Sequence, residues 1–185
     1  MSSSDGISLE DFSGPKILLT GLSQSGKTSI IQVVFEKKPP DSTKDLQPTV
    51  RFTRQEVRLN GYSYFTVDVG GQIPYLEEVL DVLNETVFNN LSYLFYVVDA
   101  SDSESFYKSR DYFALALKSV EEFSKDARIV VLAHKMDLIE PEKRANIIKN
   151  IAKIFFLDSL KNVEIYGTSI YEDSIITVMN MVLVE

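Results

Sequence analysis

The octapeptide Gly21-Leu22-Ser23-Gln24-Ser25-Gly26-Lys27-Thr28 constrains this chain more than any other stretch of it. It follows the apolar run Ile17-Leu18-Leu19 without a gap and leads straight into a segment of helix-forming composition. The pattern Gly-x-x-x-x-Gly-Lys-Ser/Thr between a strand and a helix is that of a phosphate-binding loop. Its two glycines open backbone conformations closed to other residues, so successive N–H groups turn inward around an anion. The helix behind the loop adds its positive N-terminal end, Lys27 reaches the β- and γ-phosphates, and the Thr28 hydroxyl is placed to coordinate Mg²⁺. The expected phosphate ligands are therefore Ser23, Gln24, Ser25, Gly26, Lys27, Thr28 and Ser29. Average residue frequencies produce such a pattern by chance in roughly one chain per hundred of this length, and the correct flanking elements make a chance match rarer still.

Beyond the loop, short apolar runs rich in β-branched residues alternate with amphipathic segments of helical length, the signature of an α/β domain. Strands are expected over 16–20, 50–59, 62–69, 92–99, 128–133 and 162–167, and helices over 27–36, 76–89, 104–123, 142–157 and 171–184. Asn60-Gly61 accepts positive φ and predicts a tight hairpin. The expected fold is thus a six-stranded, mainly parallel sheet with one antiparallel edge strand and helices on both faces. Asp102 or Ser103 is expected to cap the third helix. Its recurring Phe106, Tyr107, Phe113, Leu117, Val120 and Phe123 are read as core packing. Residues 1–14, polar and ending in Ser13-Gly14, are expected to form a flexible tail, and 15–185 one domain.

Composition narrows the partners. A net charge of −8 disfavours nucleic acid and anionic lipid, whose capture rests on clustered Lys and Arg. The chain has no cysteine, which predicts no disulfide framework, no thiolate metal site and no prenyl or palmitoyl group. Ser2 after Met1 predicts no N-myristoylation, so no direct lipid anchor is expected. The expectation is a cytoplasmic protein, one that a partner would have to carry if it reaches a membrane at all.

Two further stations lie at strand ends, where α/β sheets gather ligands. The third strand ends in Asp68-Val69-Gly70-Gly71-Gln72. Asp68 fits a carboxylate holding Mg²⁺ through water, Gly71 can offer its N–H to a γ-phosphate, and Gln72 can orient an attacking water. The polar stretch 37–47, followed by Pro48-Thr49, reads as a long mobile loop. Thr49, with Thr43 behind it, is the candidate for the last protein ligand of the metal. The fifth strand breaks into His134-Lys135-Met136-Asp137. A carboxylate at Asp137 can accept both N1–H and the exocyclic N–H₂ of guanine, a donor pair that adenine lacks. The stem of Lys135 can cover the ring, and backbone N–H groups at Ser169 and Ile170 can meet the guanine carbonyl. For His134, direct contact with guanine and a bridge between loops stand equally open.

Taken in order and spacing, the phosphate loop, Thr49, Asp68-Val69-Gly70-Gly71-Gln72, the Lys-x-Asp at 135–137 and Thr168-Ser169 resemble the Ras-like small GTPases over residues 15–185. Within that superfamily the chain is most similar to the Rag/Gtr GTPases of nutrient signalling. His-Lys-x-Asp at 134–137, Val33-Val34-Phe35 and Thr168-Ser169-Ile170-Tyr171 lean toward the Rag C/D branch. The Gly70-Gly71-Gln72 turn is instead similar to the Rag A/B branch or the Arf proteins. The resemblance implies a G domain of the P-loop NTPase class that cycles between GTP and GDP with Mg²⁺. The loops around Thr49 and Gln72 would be switches ordered by the γ-phosphate and read by regulator and effector proteins. It also implies dimerisation through a following roadblock-type domain. The sequence stops at Glu185, so two expectations stand side by side: that such a domain has been trimmed away, or that the chain is a minimal relative whose partner is a separate roadblock protein or a second GTPase.

Three functions compete on this basis. The first is a GTP-hydrolysing switch, with Gln72 and Lys27 as catalytic residues and Ser23 and Ile73-Pro74 arguing for slow intrinsic turnover. The second is a nucleotide-stabilised interaction module with negligible hydrolysis. The third is a P-loop kinase, to which Lys135 and Asp137 fit poorly.

Overall fold

The structure, a computed structural model, describes residues 14–183; the expected tail, save its last residue, and Val184 lie outside them. Six strands form one sheet: β1 (Lys16–Thr20), β2 (Phe52–Leu59), β3 (Tyr62–Val69), β4 (Tyr93–Asp99), β5 (Arg128–His134) and β6 (Val163–Gly167), in the order β2-β3-β1-β4-β5-β6. Only β2 runs antiparallel to its neighbour. Asn60 and Gly61 make the hairpin turn with φ of 52° and 86°, the doubly positive pair that a tight two-residue turn requires.

Strand alternation decides what faces what. On β1, Leu18 points to one core while Ile17 and Leu19 point to the other. The second face is covered by α1 (Lys27–Val34) and α6 (Ser174–Leu183). The first is covered by α2 (Ile73–Asp81), α3 (Asn84–Phe88), α4 (Phe106–Phe123) and α5 (Pro141–Ile154). On β3, Phe65, Val67 and Val69 take the first face, so Tyr64, Thr66 and Asp68 share the face of α1. On β5, Val131 and Ala133 take the first face and Val130 and Leu132 the second, so His134 also turns toward α1. Two site residues are thus aimed at the phosphate loop by period two alone.

The expected helix over 76–89 is two helices. α2 begins earlier, with Pro74 in its first turn where a missing N–H costs nothing. It stops at Asp81 because the Asn84 side chain accepts the Glu85 N–H at 2.7 Å, a local bond that competes with the helical ladder. Lys16 fastens α3: its Nζ donates to the carbonyls of Asn89 at 3.0 Å and Thr86 at 3.4 Å. Burial first, and the charge of Arg54 second, lower the Lys16 ammonium to about 8.

Neither Asp102 nor Ser103 caps α4 through its side chain. A short 3-10 turn, Ser103–Ser105, intervenes, and the Asp102 carbonyl accepts the Ser105 N–H and hydroxyl at 3.2 and 2.9 Å. Within α4, Phe106, Phe113 and Val120 are core, but Tyr107 is 61% exposed. One residue on from Phe106 it is rotated by about 100°, and its ring lies under the Arg110 guanidinium at 5.5 Å instead. The stretch 37–47 is not featureless, since Pro40–Thr43 forms a 3-10 turn.

Candidate functional site

Between β1 and α1 the chain wraps around a cavity of about 550 Å³, walled by the phosphate loop, the segment 43–49, Gly71, the 134–138 turn and Ile170-Tyr171. Gly26 stands at the N-cap of α1 with φ of 104°. A Cβ there would sit 2.6 Å from the His134 ring, so both the dihedral and the packing demand glycine. Lys27 lies along the loop, its Nζ donating to the carbonyls of Leu22 at 2.8 Å and Gly21 at 2.9 Å, with Ser25 Oγ at 3.4 Å. Burial pulls its ammonium down to about 8, against the neighbouring Asp68 carboxylate and with a small push from Lys135. An anion beside Nζ would offset that desolvation.

Beside Lys27, where the loop enters α1, three oxygen-bearing side chains meet. Thr28 Oγ1 donates to Asp68 Oδ2 at 2.5 Å, Thr49 Oγ1 reaches the same oxygen at 3.3 Å, and the two hydroxyls are 3.1 Å apart. Asp68 is buried, and its Oδ1 has no hydrogen-bond partner among the described residues. Burial raises the Asp68 carboxyl above the ordinary range, opposed by the bonds from Thr28 and Thr49 and by the charge of Lys27. One carboxylate with an orphaned oxygen beside two hydroxyls is a hard-oxygen donor set, of the kind that suits Mg²⁺ completed by phosphates and waters. Thr43, the reserve candidate, is not part of it, because its hydroxyl is engaged with the Pro40 carbonyl at 2.8 Å.

The base side is equally built. Lys135 takes φ of 65°, which swings its Nζ onto Asp99 Oδ2 at 2.6 Å. Asp137 Oδ1 accepts the Ser169 hydroxyl at 2.5 Å, and the same hydroxyl accepts the Tyr171 N–H at 3.0 Å. The Asp137 carboxylate is thereby held through its Oδ1 at the cavity wall.

A model of the Gtr1/RagA G protein conserved region matches residues 16–184. The chain belongs to the Gtr1/RagA family. It is 31% identical over 165 residues to the GTP-binding protein GTR1 of Saccharomyces cerevisiae, covering 86% of this chain and 53% of that protein. Against the Ras-related GTP-binding protein A of Dictyostelium discoideum it is 34% identical over 136 residues, covering 73% and 45%. The chain thus spans about half the length of these relatives. Among solved structures, the Arl6 BBS3 small GTPase of Trypanosoma brucei with bound GppNp superposes with a TM-score of 0.72 at 20% identity, over 92% of this chain and 95% of that one. The likeness supports the small-GTPase fold, and both the fold class and the Rag/Gtr resemblance read from the sequence hold.

Within this family member, the cavity wall contains Ser23, Gln24, Gly26, Lys27, Thr28, Ser29, Thr49, Gly71, His134, Lys135, Asp137 and Ile170. Ser25 and Asp68 lie buried just behind it. Gly71 presses on the phosphate loop so closely that a Cβ would come within 2.3 Å of the Ser23 nitrogen. Gln72 is apart: its side chain is exposed, and its carbonyl accepts the Tyr75 and Leu76 N–H groups at 3.0 Å to start α2. The Ser169 N–H does not face the cavity either, because it donates to Ser174 Oγ at 2.9 Å. His134 is buried; its Nδ1 shares a hydrogen bond of 2.9 Å with the Thr168 hydroxyl while its ring packs on Gly26. It therefore bridges the phosphate loop and the last base-side loop, and burial drops its imidazole to about 4.

Sequence reasoning missed Asp99, Lys44 and Tyr171. Asp99 follows from register, since β4 pairs it with His134. Tyr171 is not the start of a helix, which begins only at Ser174. Its ring borders the cavity and lies 6.0 Å from Lys44 Nζ of the 37–47 stretch.

Proposed function

We propose that this chain binds GTP and GDP with Mg²⁺ and hydrolyses GTP slowly, as a switch in Rag-like signalling. The observation that carries the proposal is the meeting of Thr28, Thr49 and Asp68, with its orphaned oxygen, beside a phosphate loop whose cavity is also lined by Asp137. The backbone of residues 23–29 and Lys27 would hold the phosphates, and Asp137, oriented by Ser169, would select guanine. The Ile170 N–H, rather than that of Ser169, is the donor proposed for the guanine carbonyl. Thr28, Thr49 and, through water, Asp68 would hold Mg²⁺, which when bound neutralises phosphate charge.

In the hydrolytic step a water oxygen bonds to the γ-phosphorus while the bond from phosphorus to the β–γ bridging oxygen breaks, giving GDP and inorganic phosphate. Lys27 stabilises charge on the transferring group, and Gln72, brought in from its exposed position, orients the water. An arginine supplied by an activating protein is worth about 10³ to 10⁵ in such sites, so unaided turnover is slow. Replacing Gln72 by Leu is expected to lower single-turnover hydrolysis at least about tenfold while sparing GTP affinity; hydrolysis at the wild-type rate would remove Gln72 from the mechanism.

A second reading, a nucleotide-stabilised module with negligible hydrolysis, is favoured by the distance of the Gln72 side chain from the cavity. Single-turnover assays with and without candidate activating proteins separate the two. Native mass spectrometry of the purified chain tests both, by reporting retained guanine nucleotide together with subunit number. Preference for ATP in competition would instead revive a kinase. The partners proposed are regulator and effector proteins, with a roadblock-domain protein or a second GTPase for assembly, and any membrane recruitment would run through them. No helix among the described residues is long and apolar enough to cross a membrane.

A further inference from the structure

A second hollow, of about 630 Å³, lies between α2 and α4 on the sheet face away from α1. Its apolar part is Leu80, Val82 and Leu115, and Val82 is 74% and Leu115 47% exposed. Carboxylates rim it: Glu77, Glu78 and Asp81 from α2, and Glu122 from α4, against the single cation Lys118. Arg51 pairs with Glu78 at 3.1 Å, and Tyr112 donates to Glu77 at 3.2 Å. Asp81 and Glu122 enter no ion pair among the described residues and are exposed.

Helix polarity sharpens the imbalance. The hollow is walled by the C-terminal halves of both helices, whose free carbonyls carry partial negative charge. Neither α2 nor α4 has a basic residue in its last turn, whereas α5 ends with Lys153. Glu77 and Glu78 have partners and Lys118 supplies partial compensation, but Asp81 and Glu122, at two negative helix ends beside exposed aliphatic side chains, are paired with no cation among the described residues.

We infer that this groove docks an amphipathic helix of a partner protein, with Lys or Arg flanking an apolar stripe. The apolar stripe covers Val82 and Leu115, and the basic side chains meet Asp81 and Glu122 and the two negative helix ends. Leu115 and Glu122 are seven residues apart on α4, about 10 Å, so two turns of such a helix span the groove. The same charge repels anionic lipid and nucleic acid. A second copy of this chain, at net charge −8, is a poor electrostatic match.

The test uses the purified chain and three synthetic helical peptides: a Leu/Lys amphipathic peptide, its Leu/Glu counterpart, and a scrambled Leu/Lys sequence of the same composition. The amphipathic cationic peptide is expected to bind, with NMR shift changes concentrated at 77–84 and 115–122. Asp81→Lys combined with Glu122→Lys should weaken it about tenfold or more. Leu115→Ser should weaken it while leaving charge unchanged. All three substituted positions are exposed, and circular dichroism of the variants verifies the fold. Equal binding by the scrambled peptide, undiminished binding by the doubly substituted chain, shifts mapped elsewhere, or self-association through this face in sedimentation would each overturn the inference.

Discussion

His134 is a buried, neutral imidazole where solvent would have left it half charged near pH 6.5. Its folded-state value of about 4 lies below the unfolded one, so the folded chain binds fewer protons between them. Stability contributed by the neutral ring is fully present above pH 6.5 and declines as pH falls toward 4, by roughly 3 kcal/mol in all. His134→Asn should flatten urea-derived stability across that window; an unchanged slope would show that His134 does not titrate as described. Ser169→Ala frees the Asp137 carboxylate from its 2.5 Å bond without touching the ligand directly. Guanine-nucleotide affinity should fall by about 1 to 2 kcal/mol, with the loss read as faster GDP release in stopped-flow exchange.

At the level of elements, α2 and α4 hold charge that works against their own stability. Reversing Asp81 to Lys places a cation at a negative helix end and should raise unfolding free energy by about 0.5 kcal/mol, measured by urea denaturation, while it weakens peptide capture. The strands and the phosphate loop were legible because their information is contiguous: Ile17-Leu18-Leu19 needs only its own pattern to be a buried strand, and Gly26-Lys27-Thr28 only its neighbours. The Asp99–Lys135 pair was not, since it depends on the register of two strands whose partners lie 36 residues apart. The break before α3 was hidden because apolar periodicity continues through it, and a single Asn84 side-chain bond decides the matter. Ser169 misled for a similar reason, its N–H being taken by a hydroxyl five residues on.

For the molecule as a whole, one sheet edge gathers the residues proposed to hold phosphate, metal and base, from β1, β3, β5 and the loop after β6. A ligand that touches all of them ties the sheet's separate connections together. GDP with Mg²⁺ at 100 times its dissociation constant should therefore add about 2.7 kcal/mol of stability, seen as a raised thermal midpoint that falls again on chelation with EDTA; a midpoint indifferent to chelator would argue against the Thr28, Thr49 and Asp68 metal site. The division of the expected long helix into two has a counterpart in time. α3 is clamped by Lys16 in addition to its buried Val87 and Phe88, while α2, whose Leu76 and Val79 are buried in the same core, has no such side-chain clamp from β1 among the described residues. Amide hydrogen exchange should then proceed from α2 through local opening and from α3 only through global unfolding, so that α2 can shift over a neighbour that keeps the core closed.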